Sequence, residues 1–184
     1  TILSKSLSVS GLTVSDKTYD GTTVANVSGG TLNGIINSDD VSFTTTASFS
    51  DANAAANKSV LVNYSLNGQH ASNYSLQSNT MTASISPKEV SIIGISIDNK
   101  PYDGTNVTTI SGIANLSEVI TNDLFTVTIA GNPIATFNNP SLGMNKPITV
   151  VGYELQGPQA GNYSLSQPST LTANIVAKTI TISG

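Results

Sequence analysis

The chain spells most of itself twice. Lys17-Thr18-Tyr19-Asp20-Gly21-Thr22 returns as Lys100-Pro101-Tyr102-Asp103-Gly104-Thr105, and Ala71-Ser72-Asn73-Tyr74-Ser75-Leu76 returns as Ala160-Gly161-Asn162-Tyr163-Ser164-Leu165. Self-similarity at that period restricts the 184 residues to two copies of one folding unit. Units of roughly 85–90 residues are long enough to bury a core of their own. The expected boundaries are 4–87 for the first copy and 88–177 for the second, with 178–184 starting a further copy or forming a terminal strand.

The offset between copies only grows. It is 83 at Tyr19/Tyr102, 84 at Leu32/Leu116, Asp39/Asp123 and Phe43/Val127, 88 at Phe49/Phe137 and Lys58/Lys146, 89 at Tyr64/Tyr153 and Tyr74/Tyr163, and 90 at Met81/Leu171. Copy two therefore carries small insertions and no rearrangement. The four-residue step falls near Ala130-Gly131-Asn132-Pro133 and reads as a surface turn; the one-residue step near Pro147-Ile148 reads as a β-bulge. The segment around Lys5 is written again around Lys88 and Lys178, so the chain reads as a slice of a longer array. All seven lysines fall in three columns, Lys5/Lys88/Lys178, Lys17/Lys100 and Lys58/Lys146.

Strands are legible as alternation. Val60, Val62, Tyr64 and Leu66 share one face, and Val151, Tyr153 and Leu155 are expected to repeat it. Met81-Ala83-Ile85 and Val41-Phe43-Thr45 alternate likewise, between Gly, Asn, Asp and Pro turns. The expected fold is all-β or mostly β: two tandem, small antiparallel domains of β-sandwich type. A β-grasp-like alternative arises from Leu32-Asn33-Gly34-Ile35-Ile36 and Leu116-Ser117-Glu118-Val119-Ile120, whose spacing would suit one short helix per copy. The junctions contain no Gly/Ser linker, so a stiff connection adding roughly 30 Å per copy is expected.

Charge removes several functions. A net charge of −4 with no arginine lacks the cationic patch that nucleic acid requires. Cysteine is absent, which excludes disulfides and thiolate metal sites. No apolar run approaches the ~20 residues of a membrane-spanning helix. His70 is the sole histidine and copy two has Gln159 in its place, so no relay for nucleophilic catalysis is legible and no enzyme or cofactor is expected.

Four sets of polar residues remain. Tyr19-Asp20-Gly21 and Tyr102-Asp103-Gly104 read as turns, Gly supplying positive φ and Asp capping the amides. Asn73-Tyr74 and Asn162-Tyr163 read as a corner tyrosine with its hydroxyl tied to backbone; exposed, they would instead be sugar-stacking sites. Asp39, Asp40 and Asp51 are weak calcium candidates, and copy two keeps only Asp123 of them. The lysine columns beside Asn and Asp raise an intramolecular isopeptide bond, which would lower the intact mass by one ammonia or water.

The order of these motifs resembles the YDG repeat, itself related to MBG-type repeats of bacterial surface proteins. Tyr-Asp-Gly-Thr leads to Ser38-Asp39-Asp40-Val41, then Asn57-Lys58, Asn73-Tyr74-Ser75-Leu76 and Ile85-Ser86-Pro87-Lys88, twice over. The resemblance implies tandem extracellular modules of bacterial adhesins or haemagglutinin-like proteins, acting as non-catalytic spacers beneath a distal binding domain. Their partners would be neighbouring repeats, with a host glycan or protein met through other domains. The alternative is a repeated carbohydrate- or host-protein-binding module that gains by avidity through Tyr74/Tyr163 or Tyr64/Tyr153.

Overall fold

The computed structural model describes residues 2–182. Contacts divide the chain into two compact units, Thr1–Lys88 and Glu89–Gly184. Unit one contains β1 (Lys5–Ser6), β2 (Ser8–Val14), β3 (Lys17–Thr18), β4 (Val27–Asn33), β5 (Ser42–Phe49), β6 (Ala55–Asn67), β7 (Tyr74–Ser75) and β8 (Asn79–Ser86). Unit two contains β9 (Lys88–Ile97), β10 (Lys100–Pro101), β11 (Val107–Thr108), β12 (Ile110–Leu116), β13 (Thr128–Phe137), β14 (Gly143–Gln156), β15 (Tyr163–Ser166) and β16 (Thr172–Val176).

Both units stack strands in two layers. In unit one, sheet order β3-β8-β6-β5 faces the β2–β4 and β1–β7 pairs; in unit two, β10-β16-β14-β13-β11 faces β12-β9-β15. Sandwich packing follows from period-two burial. Val60 and Val62 are fully buried while Leu61 between them is exposed. In unit two, Phe137, Val150, Ala173 and Ile175 of one sheet close on Ile92 of the other, with Ile110, Ala114 and Leu116 packed around them. The fold is mostly β, as alternation indicated.

Three expectations change. The short helix does not form: Leu32 and Asn33 end β4, Leu116 ends β12, and only a single 3-10 turn, Thr121–Asp123, follows. Gly34 takes φ 98° and Glu118 φ 62°, which helical residues do not adopt. Nor is pairing wholly antiparallel. The long central strands are, but β1 runs parallel to β7 (Lys5↔Tyr74), β3 parallel to β8 (Lys17↔Ile85) and β10 parallel to β16 (Lys100↔Ile175). The early segments reach strands far along the chain, so no hairpin sets their direction.

The third change concerns the insertions. Phe43 pairs with Leu66 and Ile129 with Leu155, so Ile129, not Val127, is the counterpart of Phe43. Two of the four inserted residues therefore lie before the strand, at Leu124-Phe125. The other two, Asn132-Pro133, form a bulge inside β13 between Gly131 and Ile134 and are not a surface turn. The single-residue insertion sits opposite, at Gly152, not at Pro147-Ile148. It shifts the phase of β14: Val150 and Tyr153 are buried while Val151 is exposed. Gly131 (φ 92°) and Gly152 (φ 96°) make this possible. A Cβ on Gly131 would stand 2.1 Å from the Gly152 carbonyl oxygen, and one on Gly152 would stand 2.7 Å from the Asn132 carbonyl oxygen.

Candidate functional site

In both units the Tyr-Asp-Gly-Thr segment builds the same turn. Asp20 Oδ1 accepts from the Thr22 N–H (2.8 Å) and hydroxyl (2.9 Å), and Asp103 Oδ1 from the Thr105 N–H and hydroxyl (both 2.9 Å). Gly21 and Gly104 sit at φ 75° and 82°. The lysine three residues before the aspartate closes over the turn. Lys17 Nζ lies 2.8 Å from Asp20 Oδ1 and donates to the Thr22 carbonyl; Lys100 Nζ lies 2.7 Å from Asp103 Oδ1 and donates to the Thr105 and Val107 carbonyls. Tyr19 is buried, whereas Tyr102 is 45% exposed.

These bonds favour the charged carboxylate. The Lys100 ammonium, with the Thr105 N–H and hydroxyl, lowers Asp103 from 3.8 to about 2. Partial burial pushes Asp20 up, but Lys17 and Thr22 outweigh it and hold the carboxyl below its ordinary value. A depressed carboxylate adds stability above its unfolded pKa, and that share is lost as pH falls through the folded pKa. Unit two is therefore expected to lose the Asp103 contribution between about pH 4 and 2. NMR titration of the Asp103 carboxyl should give a midpoint near 2, and Asp103→Asn should flatten that part of the stability–pH curve.

The Asn-Lys pair builds a second shared device. Register breaks between Ala55 and Lys58 on β6 and between Gly143 and Lys146 on β14, and Asn57 (φ 52°) and Asn145 (φ 49°) take the left-handed conformation that Asn tolerates. The Ser84 N–H is capped by Asp16 Oδ1 (2.6 Å) and the Asn174 N–H by Asn99 Oδ1 (2.7 Å). Sequence reading passed over Asp16 and Asn99, although both precede a repeated lysine at the same offset of 83.

The bulge seats a lysine in each unit, but the two are neutralised differently. Lys58 is buried and its Nζ lies 2.6 Å from Asp51 Oδ1. Lys146 meets only uncharged oxygens: Asn139 Oδ1 at 2.7 Å, the Asn139 carbonyl at 3.0 Å and the Ser141 carbonyl at 2.6 Å. It also stands 5.7 Å from the Phe137 ring centroid. Asn139→Asp is expected to recreate the ion pair of unit one and stabilise unit two by about 0.5–1 kcal/mol. Thermal unfolding with and without high salt checks it, the gain shrinking as salt rises.

The corner tyrosines reach across the chain. Tyr74 donates its hydroxyl to Asp39 Oδ2 (2.7 Å) and accepts the Ile36 N–H (3.0 Å); Tyr163 donates to Asp123 Oδ2 (2.8 Å) and accepts the Ile120 N–H (3.2 Å). The bond to Asp39 holds the Tyr74 phenol above its ordinary pKa of 10. Both rings are buried, as is Tyr153; of the four stacking candidates Tyr64 alone is partly exposed, its ring edge-on to Phe43 at 6.0 Å between centroids. Asn73 stays exposed, while Asn162 is buried and donates to Gln159 Oε1 at 2.6 Å.

The calcium set does not assemble. Asp40 precedes β5 and Asp51 follows it, so the strand's full length separates them. Asp39 is held by Tyr74, Asp51 by Lys58, and Asp40 Oδ2 accepts the Gln69 N–H (3.2 Å) while the Asp40 N–H donates to His70 Nδ1 (3.0 Å). Among the described residues no three His, Cys, Asp or Glu side chains cluster for a metal. For the isopeptide reaction the geometry brings together Lys58 with Asp51 and Lys146 with Asn139. Lys58 draws the half-exposed Asp51 carboxyl below its ordinary pKa, which keeps it a carboxylate, a poor target for attack by an amine.

The YDG domain model matches residues 4–82 and again 86–171. The chain belongs to the YDG domain family. No curated protein and no solved structure matches it. The family's Tyr-Asp-Gly is the lysine-clamped turn, present once in each YDG domain.

Proposed function

We propose that these two YDG domains are non-catalytic spacer modules of a bacterial extracellular adhesin, holding a distal binding domain away from the cell surface. One observation carries the reading. The residues that recur between domains are engaged within their own domain: aspartate on lysine and threonine, tyrosine on aspartate and backbone, lysine on carboxylate or carbonyl oxygen. Repetition of inward-bonded residues reproduces architecture, whereas a repeated binding site would reproduce outward-facing groups. No helix among the described residues is long and apolar enough to cross a membrane.

The test is replacement. In the parent surface protein, exchanging the pair for two unrelated β-sandwich domains of equal length should preserve adhesion, and deleting the pair should reduce it. Loss of adhesion on exchange, or binding of a glycan by the isolated pair on an array, would overturn the spacer role.

A further inference from the structure

Strand β5 is an outer strand of its sheet, paired with β6 on one side only. All eight residues, Ser42–Phe49, keep unbroken register. At its far end the loop before β4 caps the edge: the Ala25 N–H donates to the Ala47 carbonyl (3.1 Å) and the Phe49 N–H to the Thr23 carbonyl (2.7 Å). Those bonds fix the phase. Odd-numbered residues aim their backbone groups away from β6, so Phe43 and Thr45 present theirs along the edge. Beside them an open cleft of about 460 Å³ separates Thr45–Ala47 from Val24–Val27.

Such an edge is a template for another strand unless blocked by charge, proline or a bulge. Val41–Ala47 contains none of these. The equivalent strand of unit two contains two of them: Asn132-Pro133 bulges β13 midway, and Pro133 has no N–H to offer. The two domains thus differ at one edge, open in the first and blocked in the second.

We infer that the β5 edge pairs antiparallel with the β5 edge of a second copy of this chain, about a two-fold axis at Thr44. That register sets Phe43 and Thr45 of one copy opposite Thr45 and Phe43 of the other, giving four backbone hydrogen bonds. It places Ser42 opposite Thr46 and ends there, since Ala25 already occupies the edge beside Ala47, and no charge meets its like within the paired segment. A centre at Thr45 is excluded, because it would require the Ala47 carbonyl already taken by Ala25. The occupant is a copy because the segment complements itself: neutral, Thr-rich and free of any side chain that would repel its twin. A single strand pair covers less than the ~1,200 Å² of stable complexes, so the association is weak and rises with concentration.

The two-fold supplies the test. Thr44 faces solvent and meets itself across the axis as a non-hydrogen-bonded pair, with Cα atoms about 4.5 Å apart. Because the chain has no cysteine, Thr44→Cys introduces a single thiol. The variant should form a disulfide dimer under mild oxidation, while Thr46→Cys, whose opposite residue is Ser42, should cross-link at least tenfold more slowly. Sedimentation of the wild-type pair should show reversible dimers at high concentration. Thr44→Lys should weaken them at least tenfold, and an equimolar mix of Thr44→Lys and Thr44→Glu should restore them as heterodimers. A monomer at every concentration, equal cross-linking at 44 and 46, or dimers indifferent to Thr44→Lys would each overturn the pairing.

Discussion

Gly131→Ala is expected to cost the second YDG domain at least about 3 kcal/mol, a large share of the about 5–15 kcal/mol by which small domains are stable. Two penalties add. A left-handed φ of 92° strains any side chain, and the new Cβ would stand 2.1 Å from the Gly152 carbonyl oxygen, a backbone atom fixed by the β13–β14 ladder. Gly104→Ala is the control. Its φ of 82° is just as unfavourable for alanine, but a Cβ there meets nothing within 4 Å, so only the conformational cost of about 1 kcal/mol remains. Denaturant unfolding of both variants separates the close approach from the dihedral preference. Equal losses would mean that the two-sided bulge relaxes around the added methyl.

The second large effect is expected at Tyr163. Tyr163→Phe removes a donor from Asp123, which is only 6% exposed, and an acceptor from the Ile120 N–H. Leaving a buried carboxylate short of a donor and an amide unpaired costs about 2–3 kcal/mol. Tyr74→Phe deletes the same bonds in the first domain, but Asp39 is partly exposed and water can replace the donor. The loss there should be smaller, and urea midpoints of the two domains, each followed by its own NMR signals, would show the difference. Equal losses would place Asp123 within reach of water.

Much of this architecture was legible. Alternation at Val60 and Val62 identified the inner face of β6 because burial on a pleated strand has a period of two. The same reasoning misplaced Val151. A lone glycine inserted in a strand flips every later residue to the other face, and Gly152 is as consistent with a turn as with a bulge. Parallel edges were illegible for a different reason: β3 meets β8 across some seventy residues, with no turn between them to announce the pairing. Asp39, Asp40 and Asp51 stood only as weak calcium candidates, because sequence shows the number of carboxylates but not their engagement. Each is taken by a lysine, a tyrosine or a loop amide. The Asn-Lys bulge offered a readable signal in the left-handed preference of asparagine beside a recurring lysine.

The parallel lacing of β3 onto β8, and of β10 onto β16, bears on how each domain yields under tension. Strands near the start and finish of a domain that run in the same direction are dragged lengthwise past each other when its termini are pulled apart. Their bonds are then strained simultaneously, not peeled open one by one as in a hairpin. A tether built from such units gives way abruptly at high load. Single-molecule stretching of the pair should record two sharp rips, each releasing the contour of one domain. Tyr19→Pro, which removes the N–H bonded to the Ser86 carbonyl at the end of the first lacing strand, should lower the load of one rip and leave its neighbour unchanged.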